Sequence, residues 1–162
     1  MNNLSINNIS NNNLSNKMYN MYERCLEEAD KSRLRYRHGC IATYSGKIIG
    51  CGFNTSKYDK NTCTCHAEVN VLNKLYNTYT RKQQKDKILK IFRKTTLYIS
   101  RLTQGGFSDD SAPCVDCLKK INAYNIKRII FCMNDTHYIL DPTQYKNSRP
   151  SDGHNFVKSI YN

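Results

Sequence analysis

The spacing of apolar residues along the chain changes period repeatedly, and each change marks an element. From Met18 to about Arg33, the positions Met18, Met21, Tyr22, Cys25, Leu26 and Ala29 recur at helical spacing, which predicts an amphipathic helix. The run HGCIATYSGKIIGCGFN follows, with two β-rich stretches around Ser45-Gly46. It predicts a hairpin with a tight glycine-containing turn and strands at about 38–44 and 47–52. Beyond a polar loop, Val69, Leu72, Leu75 and Tyr76 share one helical face, so a second helix is expected from Cys65 to about Tyr79, opened by Cys65 and His66. The basic stretch TRKQQKDKILKIFRK reads either as an extension of that helix or as a solvated linker. TTLYIS is a third strand at about 95–100. Leu102–Pro113, which holds two glycines and two aspartates, is a loop. Cys114–Ala123 is a third helix, and KRIIFCM is the fourth strand.

Strand, helix and strand in that order predict a right-handed crossover with parallel strands beside the initial hairpin. The expected fold is therefore α/β, a three-layer α/β/α sandwich around a mixed central sheet. From Asn134 onward the chain is polar, with a short strand possible at His137–Leu140 and a terminal helix near Asn155–Ile160. Residues 1–16 are rich in asparagine and serine, too polar to bury a face, and read as a disordered tail. Residues 17–162 then form a single domain, the size one core supports.

Composition narrows the partners. Lysine and arginine number 25 against 13 acids, a formal charge of +12, which favours phosphorylated or polyanionic ligands. No run of eighteen apolar residues and no signal-peptide pattern occurs, so a soluble, cytoplasmic protein with reduced thiols and no membrane partner is expected. The eight cysteines are then metal ligands or small buried side chains rather than a disulfide framework. Cys25, Cys40, Cys51 and Cys132 fall on element faces and read as buried. His137 and His154 have no partner at ligand spacing.

Two segments carry chemistry: Cys65-His66-Ala67-Glu68-Val69 and, a helix and a strand later, Pro113-Cys114-Val115-Asp116-Cys117. Each half alone is common. Together they offer one imidazole and two thiolates, the three protein ligands of a tetrahedral zinc site that leaves one position for water. Both halves fall at expected helix N-termini, where the helix dipole favours thiolate. Glu68 stands two residues after His66, about 200° further round the helix, so it flanks the metal without ligating it. The competing reading is a closed structural zinc site with Cys63 or Cys65 as fourth ligand.

This pattern, His-x-Glu followed by Pro-Cys-x-x-Cys, resembles that of the cytidine and deoxycytidylate deaminase family. The resemblance spans roughly Leu26 to Met133 and implies a cytidine deaminase-like fold. It implies that His66, Cys114 and Cys117 hold one Zn2+ per subunit. Glu68 would move protons between the activated water and the base. Gly50-Cys51-Gly52-Phe53-Asn54 resembles the family's Gly-x-Asn segment, which implies a substrate contact for Asn54. Ala67 resembles the residue whose backbone amide touches the pyrimidine. Lys57, with Arg33, Arg35 and Arg37, would lie near the pocket mouth and favour a 5′-nucleotide such as deoxycytidylate over a nucleoside. The family usually has a short connection before Pro-Cys, ending in glutamate. Here the connection is longer, and Ala112 stands in that glutamate's place. The implied activity is hydrolytic deamination of a cytosine nucleotide or nucleoside in pyrimidine metabolism, by a homo-oligomer. The alternatives are a deaminase of adenine or cytosine in RNA or single-stranded DNA, and an inactive zinc-stabilised binding module.

Overall fold

A computed structural model describes residues 13–56, 63–147, 149–151, 155 and 158–159. The first helix, α1 (Asn16–Asp30), begins where the Ser15 hydroxyl accepts the Met18 N–H at 3.3 Å, the usual satisfaction of an orphan helix donor. Strands β1 (Arg37–Tyr44) and β2 (Lys47–Phe53) form the expected antiparallel hairpin. Ser45 and Gly46 both take positive φ, 49° and 73°, the two-residue turn whose twist matches the strands.

An unexpected two-stranded ribbon follows, β3 (Thr55–Ser56) with β4 (Thr64–Cys65). It corrects the start of the second helix: Cys65 belongs to the ribbon, His66 is the N-cap, and α2 runs Ala67–Arg81. The basic stretch forms a separate helix, α3 (Lys85–Phe92), set off from α2 by Gln83 at φ 56°. Its order comes from Ile88 and Phe92, both buried, a contribution of about 1.5–3 kcal/mol each. Strand β5 (Thr96–Leu102), helix α4 (Val115–Ala123), strand β6 (Arg128–Met133) and strand β7 (Thr136–Leu140) complete the main sheet. Its order is β2-β1-β5-β6-β7. Strands β5 and β6 are parallel and the other neighbours antiparallel, so the sheet is mixed, as expected. A 3₁₀ turn at Pro142–Gln144 was not anticipated, and the terminal helix expected near Asn155–Ile160 falls largely outside the described residues.

Period-2 alternation sorts the sheet's side chains into two cores. Ile41, Tyr98, Ile130 and Cys132 point toward Tyr22 and Cys25 of α1. Cys40, Ala42, Leu97, Ile99, Ile129 and Phe131 point the other way, toward α2, α3 and α4. Helix α1 approaches β1 so closely that a Cβ on Gly39 would lie 2.2 Å from the Cys25 carbonyl oxygen and 2.6 Å from the Ala29 nitrogen. Cys25, Cys40 and Cys132 are buried, but Cys51 is exposed. Strand β2 is the sheet's edge, and its pattern could not show that the face carrying Cys51 is uncovered. No helix among the described residues is long and apolar enough to cross a membrane.

Candidate active site

The carboxyl ends of β5 and β6, the start of β1 and the N-termini of α2 and α4 meet at one end of the sheet. Ligands in open α/β sheets gather beyond the carboxyl ends of the parallel strands. A cleft of about 740 Å3 opens there.

His66 and Cys114 are the N-caps of α2 and α4, both with extended backbone (φ −68°, ψ 153° and φ −69°, ψ 170°), and neither side chain caps its own helix. Their side chains turn toward each other instead. The Nδ1 of His66 lies 3.5 Å from Cys114 Sγ and 3.2 Å from Cys117 Sγ, and the three ligand atoms all fall within 4.8 Å of one another. Zinc bonds of about 2.3 Å to sulfur and 2.0–2.1 Å to nitrogen at a tetrahedral angle require a sulfur–nitrogen spacing of about 3.6 Å. The group fits a zinc ion with shifts of a few tenths of an ångström. Among the described residues no fourth His, Cys, Asp or Glu joins this cluster, so Cys63 and Cys65 do not close it. Among the described residues the donor set has the three-ligand form that leaves a tetrahedral position open.

Electrostatics agree with ligand chemistry. The Cys114 thiol is held down to about 4 by its hydrogen bond with Cys117, against the cost of burial, and then by His66. Cys117 is pushed up by its hydrogen bond with Cys114 and by burial. Burial presses the His66 imidazolium to release its proton, but Cys114 and the Glu68 charge outweigh it and leave His66 at about 9. A metal entering the site displaces these shared protons. Glu68, in the first turn of α2, is 3% exposed and lines the cleft. Burial raises its pKa.

The remaining expected residues are distributed unevenly. Asn54 is buried and lines the cleft, with both ends of its carboxamide bonded to backbone. Its Oδ1 accepts the His38 N–H at 2.9 Å, and its Nδ2 donates to the Tyr36 carbonyl at 2.7 Å. Ala67 is fully buried as the first residue of α2, a position whose N–H has no intrahelical acceptor. Lys57 lies outside the described residues, as does His154. Of the arginines expected at the mouth, Arg35 lines the cleft. Arg37 is engaged with Asp30 and donates to the Thr103 carbonyl at 2.6 Å.

Several cleft residues carried no sequence signal. Arg101, from the end of β5, has its guanidinium 4.9 Å from the Tyr36 ring and 3.3 Å from the Asp109 carboxylate. Its buried Nε finds no hydrogen-bond partner among the described residues. His38 projects from β1. Tyr145, Asn147 and Arg149, from beyond the last strand, also line the cleft. Asn147 Nδ2 donates to the Pro113 carbonyl at 2.9 Å, and the Val115 N–H to the Arg149 carbonyl at 3.1 Å. The longer loop before Pro113 is anchored by Ser111. Its hydroxyl donates to the Ile99 carbonyl at 2.7 Å and accepts the Cys132 N–H at 3.0 Å.

A mixed sheet between helices, with one imidazole, two thiols and a buried carboxyl at its helix N-termini, is an α/β fold carrying a cluster that could hold a metal ion. Residues 15–133 match the cytidine and deoxycytidylate deaminase zinc-binding region, and the chain belongs to that family of zinc-binding deaminases, hydrolases acting on C–N bonds. The chain is 26% identical over 121 residues to the tRNA-specific adenosine deaminase subunit tad2 of Schizosaccharomyces pombe. That match covers 72% of this chain and 26% of the relative, so the chain spans about a quarter of the relative's length. The solved dCMP deaminase of cyanophage S-TIM5, in its apo form, aligns with a TM-score of 0.43 and 19% identity, over 87% of this chain and 92% of the other.

Proposed function

We propose that the protein hydrolyses the amino group from the cytosine ring of a pyrimidine nucleotide, deoxycytidylate in the first instance and its nucleosides second. The observation that carries this reading is Glu68: a carboxyl group buried at the cleft floor, beside a cluster fitted to zinc, with no ion pair among the described residues. Burial raises its pKa against the nearby His66 charge, and a buried carboxyl with a shifted pKa in a cleft is the kind of group that exchanges protons.

In this reading His66, Cys114 and Cys117 hold the metal. When bound, zinc supplies the Lewis acidity that makes water nucleophilic near neutral pH. Glu68 takes a first proton from the attacking water on a carboxylate oxygen and delivers it to the ring nitrogen, then takes the second from the hydroxyl left on the ring carbon and delivers it to the departing amine. A carbon–oxygen bond forms, the exocyclic carbon–nitrogen bond breaks, and ammonia leaves. Ala67 offers its backbone N–H to the base. Asn54 and Lys57 belong to the substrate-binding set, with Arg35, Arg101 and Arg149 suited to a phosphate. The unpartnered Arg101 Nε–H supports an anionic ligand in particular, since a buried donor without an acceptor costs about 1–3 kcal/mol. A homo-oligomer is part of the same proposal.

A second reading, deamination of a base in a polynucleotide, draws on the likeness to a tRNA adenosine deaminase subunit and on exposed Tyr36 at the cleft rim. The basic helix α3 does not favour it. It follows the C-terminal end of α2, a helix of 15 residues and so about 22 Å long, and contributes no residue to the cleft lining. The test is ammonia release by the zinc-loaded protein from cytidine, deoxycytidine, cytidylate, deoxycytidylate and cytosine- and adenine-containing oligonucleotides in parallel. Turnover of oligonucleotides alone defeats the nucleotide reading, and no ammonia from any of them defeats both.

A further inference from the structure

Strand β1 delivers one cleft side chain that the proposed chemistry leaves without a task. His38 pairs across β1 and β5 with Arg101, and directly paired residues present their side chains to the same face. Both line the cleft. The backbone of His38 is pinned: its N–H bonds to Asn54 Oδ1 at 2.9 Å and its carbonyl accepts the Asn54 N–H at 3.0 Å. The next residue, Gly39, is wedged against α1. The strand position is therefore fixed, and the ring itself makes no hydrogen bond among the described residues.

The ring's position suggests its use. The His38 and His66 imidazoles are 13° from parallel, with centroids 6.5 Å apart. Atoms in van der Waals contact lie about 3.5–4.0 Å apart, so two parallel rings clasping a third need about 7 Å between them. The observed spacing is wider than contact between the two rings and slightly narrower than one flat heterocycle requires, so the rings part a little to admit it.

We propose that His38 is a substrate-contacting residue that clamps the target base on the side opposite His66. The inference rests on the deaminase reading, because the clasped ring is the one that reacts. His38 holds the base flat against the metal-site wall, while its cross-strand neighbour Arg101 meets the phosphate. Asn54 then acts as a positioning residue, through the His38 backbone it fixes.

The experiment uses zinc-loaded full-length protein carrying Glu68→Gln, so that the base binds without turnover. Titration with deoxycytidylate and deoxycytidine is followed by NMR of the His38 ring protons and by calorimetry. A clasped base shifts those protons upfield by its ring current. His38→Ala weakens binding by about 5- to 150-fold, the span that base–aromatic stacking covers, and His38→Phe restores most of it. Ring protons that stay put while the ligand saturates overturn the proposal, even if His38→Ala should fail to fold. So does an alanine variant, made in the wild-type background, with unchanged KM and kcat. If wild-type protein releases no ammonia from any substrate but the His38 protons still shift on base binding, the deamination reading fails and the clamp stands.

Discussion

Single atoms at the cleft floor separate a deaminase from a zinc-stabilised binding module. Glu68→Gln keeps shape and hydrogen bonding but removes the proton carrier, so ammonia release should fall by about 10²- to 10⁴-fold with bound zinc unchanged by elemental analysis. Equal turnover by the variant would dismiss Glu68 as the proton carrier. Cys114→Ser should act differently, taking bound zinc well below one per chain and activity with it, because the three-ligand set loses a thiolate. At the cleft wall, Arg101→Ala should raise KM for deoxycytidylate about tenfold while leaving KM for deoxycytidine within twofold, as loss of a charge-assisted phosphate contact predicts. A parallel rise for both substrates would move Arg101 out of the phosphate subsite.

Elements, rather than residues, explain why these groups converge. The N-cap positions of α2 and α4 are occupied by His66 and Cys114, residue types that cap poorly, and each helix forgoes about 1 kcal/mol of capping. The connections leading into those caps must then be held by other means. For α4 that means is Ser111, whose hydroxyl spans β5 and β6. Ser111→Ala leaves the buried Cys132 N–H without its acceptor, which should cost about 1–3 kcal/mol and loosen zinc retention. A melting curve and a zinc assay on one preparation check both parts. Packing of α1 on β1 is tighter still. Gly39→Ala drives a methyl into the backbone of α1 and should cost more than about 3 kcal/mol or prevent accumulation of folded protein.

Across the whole molecule, metal and fold should be linked. A ligand at about 1,000 times its dissociation constant adds about 4 kcal/mol of stability, so stripping zinc with a chelator should lower Tm by on the order of 10 °C. The positive charge of α3 has no part in nucleotide turnover on this account. Reversing Lys87 and Lys90 to glutamate should leave kcat/KM for deoxycytidylate within about twofold, since surface charges beyond a Debye length of about 10 Å are screened. A large drop would bring that helix into the substrate path and favour the polynucleotide reading.

Much of this was legible in one dimension, because the forces involved are local. Alternation in TTLYIS and KRIIFCM, the helical stripe through α2 and the Ser45-Gly46 turn each depend on neighbours a few residues away. The two halves of the cluster of His66, Cys114 and Cys117 were equally readable, since each half lies within a turn of one helix. Errors arose where contacts between distant segments decide. Cys51 was expected inside, but β2 lies at the edge of the sheet. Cys65 was assigned to a helix and belongs to a ribbon completed from before the loop. His38, Arg101, Tyr145, Asn147 and Arg149 gave no signal, because a histidine or an arginine in a strand is featureless until strand pairing places it. The sequence alone determined the longer helices and strands, the fold class and the candidate metal-binding side chains, all set by short-range periodicity and spacing. Only tertiary structure decided which faces are covered and what lines the cleft, because those depend on long-range strand order and on the ends of elements that meet solely in three dimensions.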